Sequence, residues 1–105
     1  MFARTFKSDL TLQEMFAKLT SAGVWEWKEW FSDRFGDYLI GIALRHPERG
    51  NVKIIEEPDR FAVSVKLESD RPDAQAVLDQ VERELFERIL PTVGARDIAE
   101  TDSYE

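Results

Sequence analysis

The apolar residues of this 105-residue chain change their spacing along the sequence, and that change constrains the fold more than any other feature. Near the start, four of them recur at helical spacing: Leu12, Met15, Phe16 and Leu19. From Val24 onward the apolar period falls to two, as in strands that have one buried face. The chain must therefore combine helices with a sheet.

The first helix has clear start and stop signals. Thr11 and Glu14 form the S/T-x-x-E capping box, and Leu10 and Met15 stand at the two positions of a hydrophobic staple. Gly23 can supply the left-handed residue that closes a helix. These signals predict a helix over 12–22.

The strand signals follow. Turn residues divide the middle of the chain at three places: 32–36, 46–51 and 56–59. Connections this short join antiparallel neighbours. We therefore expect a meander of four strands over 25–31, 37–45, 51–56 and 60–68. A short first strand is expected around Phe2 and Phe6, and a final edge strand over 93–99.

A second helix is predicted in the last third of the chain. Ser69 or Asp70 can cap its start, and Pro72 suits its first turn. Pro91 is expected to end it. Its apolar stripe consists of Ala74, Val77, Leu78, Val81, Leu85, Ile89 and Leu90.

Two helices with apolar stripes need a surface to cover, and one face of a single sheet satisfies both. The predicted fold is α+β, an antiparallel sheet of four to six strands with two helices packed on one face. The element order resembles the split-βαβ, ferredoxin-like arrangement with an inserted hairpin, an analogy that carries no activity. We expect a single α+β domain over 1–100 and a frayed acidic tail over 101–105.

The charge of the chain is acidic and uneven. Its net charge is −7, and residues 1–31 carry four basic and four acidic side chains, so the whole deficit falls in 32–105. Such a surface repels phosphate groups, which argues against nucleic acid and membranes and favours a basic protein as partner. The chain has no cysteine and no run of about 18 apolar residues, the length that a membrane span requires. We therefore expect it in the cytoplasm.

All three tryptophans lie in one predicted strand, as Trp25, Trp27 and Trp30. Trp25 and Trp27 share one face of that strand, whereas Trp30 shares the other with Glu26 and Lys28. Because charged side chains are costly to bury, we expect Trp25 and Trp27 to face the helices. Trp30 should then face solvent or a partner.

Large rings within a charged border are typical of interface hot spots. The predicted binding residues are Trp30, Tyr38, Lys28, Glu26, Arg34 and Phe35. The strand over 37–45 is apolar on both faces, which indicates a central strand or a second face covered in a homodimer. A core or rim role for all three tryptophans is the alternative.

Two hairpin registers fit the sequence after the tryptophans. A regular hairpin that pairs Phe31 with Asp37 sets Trp27 opposite Gly41. A single bulged residue would instead align Trp25 and Trp27 with isoleucines of the next strand, because a slip of one position exchanges the faces.

No arrangement of catalytic groups stands out in the sequence. His46 is the only imidazole and precedes Pro47, which favours an exposed turn residue. Glu56, Glu57 and Asp59 form the densest carboxylate group, but their spacing matches no cation-binding loop. We therefore predict no catalytic residue, metal or cofactor.

Two functions fit these observations. The first is a non-enzymatic acidic protein-binding module, an inhibitor-like or immunity-like partner of a basic protein, that uses an aromatic-centred sheet face. The second is a small-ligand-binding protein or enzyme of the dimeric α+β barrel type, with a pocket lined by Trp25, Trp27, Tyr38 and Ile40. The lack of catalytic groups favours the first function, and the sequence leaves open whether the chain is an enzyme.

Overall fold

The computed structural model describes residues 2–23, 25–34, 36–42, 50–67 and 74–101. Its elements in chain order are β1 (Phe2–Lys7), α1 (Leu12–Ala22), β2 (Glu26–Ser32), β3 (Gly36–Ile42), β4 (Gly50–Glu56), β5 (Phe61–Leu67), α2 (Ala74–Glu84) and β6 (Arg96–Thr101). The six strands form one antiparallel sheet in the order β2-β3-β4-β5-β1-β6. The predicted α+β class, with an antiparallel sheet and two helices, is confirmed.

Both helices belong to crossover connections. The sheet order places four antiparallel steps between β1 and β2, so these strands run in the same direction, and a helix joins them across the sheet. The connection through α2 joins β5 to β6 in the same way, with β1 between them. The ferredoxin-like assignment stays a prediction.

The core lies between the helices and one face of the sheet, which we call the helix-covered face. Phe6, Leu39, Ile54 and Val63 are buried on this face, and the rings of Phe6 and Phe61 stack with their centroids 5.6 Å apart. The helices contribute their apolar stripes to the same core: Leu12, Met15, Leu19, Val81 and Leu85. Among the described residues, the helices and the sheet therefore share one hydrophobic core.

Helix α1 begins and ends as its sequence predicts. The Thr11 hydroxyl accepts a hydrogen bond from the Glu14 backbone N–H at 3.1 Å, and the Glu14 carboxylate accepts one from the Thr11 backbone N–H at 2.9 Å. Gly23 closes the helix with a φ of 68°. The start of α1 is thus set by the side chains of Thr11 and Glu14, and its end by the left-handed backbone of Gly23.

Pro91 does not end the second helix where the sequence predicts. The helix continues through a π-helical turn over Leu85–Ile89 and a short helix over Leu90–Thr92, which contains Pro91. Proline has no N–H and its ring crowds the carbonyl four residues earlier. The wider turn, in which the Leu90 N–H bonds the Leu85 carbonyl, accommodates the ring.

The final strand is an edge strand, as predicted, but it begins later. Val93 is buried and Gly94 adopts a φ of 65°, so these residues form the turn after the helix and β6 starts at Arg96. Thr101, the first residue of the predicted frayed tail, instead ends β6. Some predicted features lie outside the described residues: the caps at Ser69 and Asp70, Pro72, His46, and residues 102–105 of the tail.

Candidate functional site

Strands β2 and β3 form a regular hairpin. All seven residues of β2 pair in one register, with Phe31 opposite Asp37 and Trp27 opposite Gly41. Of the two registers that the sequence allows, the structure therefore contains the one without a bulge. This register decides which face each side chain of β2 occupies.

Trp25 and Trp27 are buried on the helix-covered face, as predicted. Their rings stack with centroids 5.9 Å apart, and Trp27 lies directly over Gly41. Trp25 has a φ of 63°, a left-handed conformation that costs about 1–2 kcal/mol in a residue with a Cβ. Burial of the indole and its stacking on Trp27 act against that strain, whereas the Trp25 Nε1–H is buried without a hydrogen-bond partner in the described structure.

Trp30 faces outward on the opposite side of the sheet, which we call the second face. Its side chain is 57% exposed, and Glu26 and Lys28 on the same face are exposed as well. The predicted orientations of all three tryptophans are therefore confirmed. The binding role of Trp30 stays a prediction.

Tyr38 differs from the expected open ring beside Trp30, because it is only 6% exposed. β3 is an interior strand, so Tyr38 lies between Trp30 on one side and Ile55 on the other. The Lys53 ammonium group also lies 5.9 Å from the centroid of the Tyr38 ring. Tyr38 is therefore the cross-strand neighbour of Trp30 and adds little exposed apolar surface.

The remaining predicted binding residues lie at the end of the hairpin. Arg34 is exposed in the turn that follows β2, and Phe35 lies outside the described residues.

Phe31 is a further exposed ring that the sequence reasoning did not select. It lies on the helix-covered face but is 61% exposed, because it sits at the far end of β2 opposite Asp37. The regular register already paired Phe31 with this aspartate. Asp37 is a charged neighbour of Phe31 on the same face, and this charge could have indicated that Phe31 lies beyond the core.

A groove of about 770 Å³ lies beside Phe31 on the helix-covered side. The groove is lined by residues 11–13 at the start of α1 and by residues of the first three strands of the sheet order: Glu29, Trp30, Phe31, Asp37, Tyr38, Leu39 and Glu56. It therefore opens between the start of α1 and the β2–β3 hairpin.

The lining of this groove combines apolar and acidic groups. The ring of Phe31 contributes exposed apolar surface, whereas Leu12 and Leu39 are buried, and Glu29, Asp37 and Glu56 contribute three exposed carboxylates. Within the described ranges none of these three carboxylates forms an ion pair. Such a lining is suited to a cationic group that carries an aliphatic stem.

The groove differs from the aromatic pocket that the second function requires. Of the four expected lining residues, only Tyr38 lines the groove, since Trp25 and Trp27 are packed in the core. Within the described part of the chain, no group of three histidine or acidic side chains is placed to hold a metal ion.

One carboxyl group near the groove has a shifted pKa. Bonds from the backbone and side chain of Thr11 hold the pKa of Glu14 below its ordinary value, and Lys18 adds a smaller effect in the same direction. The cause is the capping box, so this shift reflects helix structure.

Comparisons of the chain with protein-family models, with curated proteins and with solved structures found no match. Among the described helices, none combines the length and apolar character needed to cross a membrane.

Proposed function

We propose that this protein is a non-enzymatic acidic protein-binding module that binds a basic protein through strand β2. The observation that supports this most directly is the pair Trp30 and Phe31. These rings are adjacent in sequence and point to opposite faces of the sheet, yet both are more than half exposed. Exposed rings at one edge of a sheet are the kind of anchor that protein interfaces use.

The surroundings of the two rings fit an interface. Glu26, Lys28 and Glu29 lie on the same strand and are exposed, which provides a charged border. The net charge of −7 favours association with a basic surface and would speed the encounter. A cytoplasmic location is part of this proposal and rests on the sequence alone.

Two other large apolar side chains are exposed in the described structure, and they serve as internal controls. Phe86 is 37% exposed and lies 5.8 Å from the guanidinium of Arg4, and Ile98 is 41% exposed on β6. Neither has a second exposed ring next to it in the sequence. Among these four exposed apolar positions, we therefore expect contact with the partner at 30 and 31 and none at 86 and 98.

Photo-crosslinking in cells tests this expectation. A photoreactive phenylalanine analogue is placed in turn at positions 30, 31, 86 and 98, and the crosslinked proteins are identified by mass spectrometry. Positions 30 and 31 should capture the same basic protein, and positions 86 and 98 should not. Equal capture at all four positions would contradict the proposal.

The affinity of the captured protein provides the second measurement. The substitutions Trp30→Ala and Phe31→Ala should each weaken binding by about 2 kcal/mol, the lower limit for a hot-spot residue. Phe86→Ala is the matched control and should leave the affinity unchanged. Circular dichroism shows whether each variant remains folded.

A further inference from the structure

Strand β2 is an edge strand with a regular backbone. It has one neighbour in the described sheet, β3, and pairs with it along its full length. A regular edge presents a row of backbone N–H and C=O groups to which another extended segment can bind. The exposed rings Trp30 and Phe31 therefore lie beside a backbone surface that is itself suited to binding.

The opposite edge of the sheet is shaped differently. β6 pairs with β1 in a register that shifts between Thr5 and Lys7, and Asp97 in β6 has a φ of 53°. Such irregularities disturb an edge and hinder the addition of another strand. β2 is thus the edge of this sheet that favours strand addition.

The two sides of β2 present different chemistry to an added strand. On the helix-covered side, Phe31 and Glu29 lie beside the groove that Asp37 and Glu56 also line. On the second face, the main exposed apolar surface is the ring of Trp30. Because side chains of a strand alternate between the two faces, an added strand would place every second side chain on the face that contains the acidic groove.

We infer that the partner contributes an extended segment in which basic and apolar residues alternate, and that this segment pairs with β2. Its lysine or arginine side chains enter the groove, where their stems lie along Phe31 and their charges meet Glu29, Asp37 and Glu56. Its apolar side chains cover Trp30. This inference rests on the proposed function, since it names the partner of the same surface.

Charge decides between such a segment and a second copy of this chain. Pairing of β2 with β2 of another copy would bring together two acidic grooves on two chains that each carry a net charge of −7. Like charges placed side by side across an interface oppose association. A basic segment removes this repulsion and compensates three carboxylates that form no ion pair within the described ranges.

A synthetic peptide of alternating lysine and valine tests the inference. In a paired strand, the N–H groups of alternate residues point toward the neighbouring strand, and the others point away. One peptide is N-methylated on the lysine amides and another on the valine amides. We expect one of them to lose binding, measured by NMR shifts of β2 amides, and the other to bind like the unmethylated peptide. Equal effects of both methylation patterns, or no shifts in β2, would overturn strand pairing.

Charge substitutions in the protein test the groove. Glu29→Gln and Glu56→Gln should each weaken binding of the unmethylated peptide by roughly two- to fivefold, the range of an exposed ion pair. Glu87→Gln removes the same charge from an exposed position outside the groove and should change the affinity less than either. Equal losses in all three variants would mean that only net charge matters, and the groove assignment would be wrong.

Failure of this inference can be told apart from failure of the proposed function. If the captured partner requires Trp30 and Phe31 but binds equally well to the Glu29→Gln, Glu56→Gln double variant, the basic segment is wrong and the binding surface stands. If Trp30→Ala and Phe31→Ala both leave the affinity for the partner unchanged, the proposed function itself is wrong.

Discussion

Gly41 shows how a single residue sets the packing of the tryptophans. A Cβ atom at this position would lie 2.7 Å from the Cη2 and Cζ3 atoms of Trp27, well inside van der Waals contact. In a strand, alanine is otherwise favoured over glycine by about 0.5–1 kcal/mol. The clash should reverse that preference, because the Trp27 ring is held in the core beside Trp25. We expect Gly41→Ala to lower the free energy of unfolding by about 1–3 kcal/mol in urea titrations.

A double-mutant cycle provides the control for this contact. In a Trp27→Leu background, the ring that would clash is absent, so Gly41→Ala should cost less or become favourable. An equal cost in both backgrounds would show that the ring does not set the requirement for glycine.

Among the secondary-structure elements, α1 offers a test of how local bonds control stability. The pKa of Glu14 is lower in the folded protein because its carboxylate is bonded to Thr11. A carboxyl group of this kind stabilises the fold above its unfolded pKa, and the contribution is lost as the pH falls through the folded pKa. Glu14→Gln should therefore lower the melting temperature at pH 7, and the difference should shrink below about pH 4.

The control for α1 is Glu87→Gln, which removes one negative charge from an exposed residue outside the capping box. Its effect on the melting temperature should be the smaller of the two at pH 7. If Glu14→Gln lowers the melting temperature equally at pH 3 and pH 7, the ionised carboxylate is not what caps the helix.

At the scale of the whole molecule, net charge predicts how association responds to salt. Two copies that each carry −7 repel each other, and salt screens that repulsion, whereas salt weakens attraction to a basic protein. We expect the chain alone to sediment as a monomer at about 0.05 M salt, and its complex with a basic partner to weaken at about 0.5 M. A dimer already present at about 0.05 M salt, where the repulsion is least screened, would contradict this and would favour the homodimer that the two-sided apolar strand suggests.

Much of the fold is encoded by neighbouring residues and could be read from the sequence. The capping box at Thr11 and Glu14 lies next to the helix that it starts, so α1 was predicted with its observed bounds. The period of two along β2 separated Trp30 from Trp25 and Trp27, and their burial follows that division. These features depend on contacts within a few residues, where chain geometry leaves few alternatives.

Other features depend on which strands become neighbours, and these features appear only in the folded chain. Tyr38 is buried because β3 lies inside the sheet, and Phe31 is exposed because β2 lies at its edge beyond the cover of α1. The acidic groove likewise joins the start of α1 to carboxylates from three strands. Local periodicity in the sequence was sufficient to predict the order of helices and strands and the face of each tryptophan, but not where the second helix ends or the final strand begins. Exposure and the groove follow from pairing between distant segments, which no local pattern specifies.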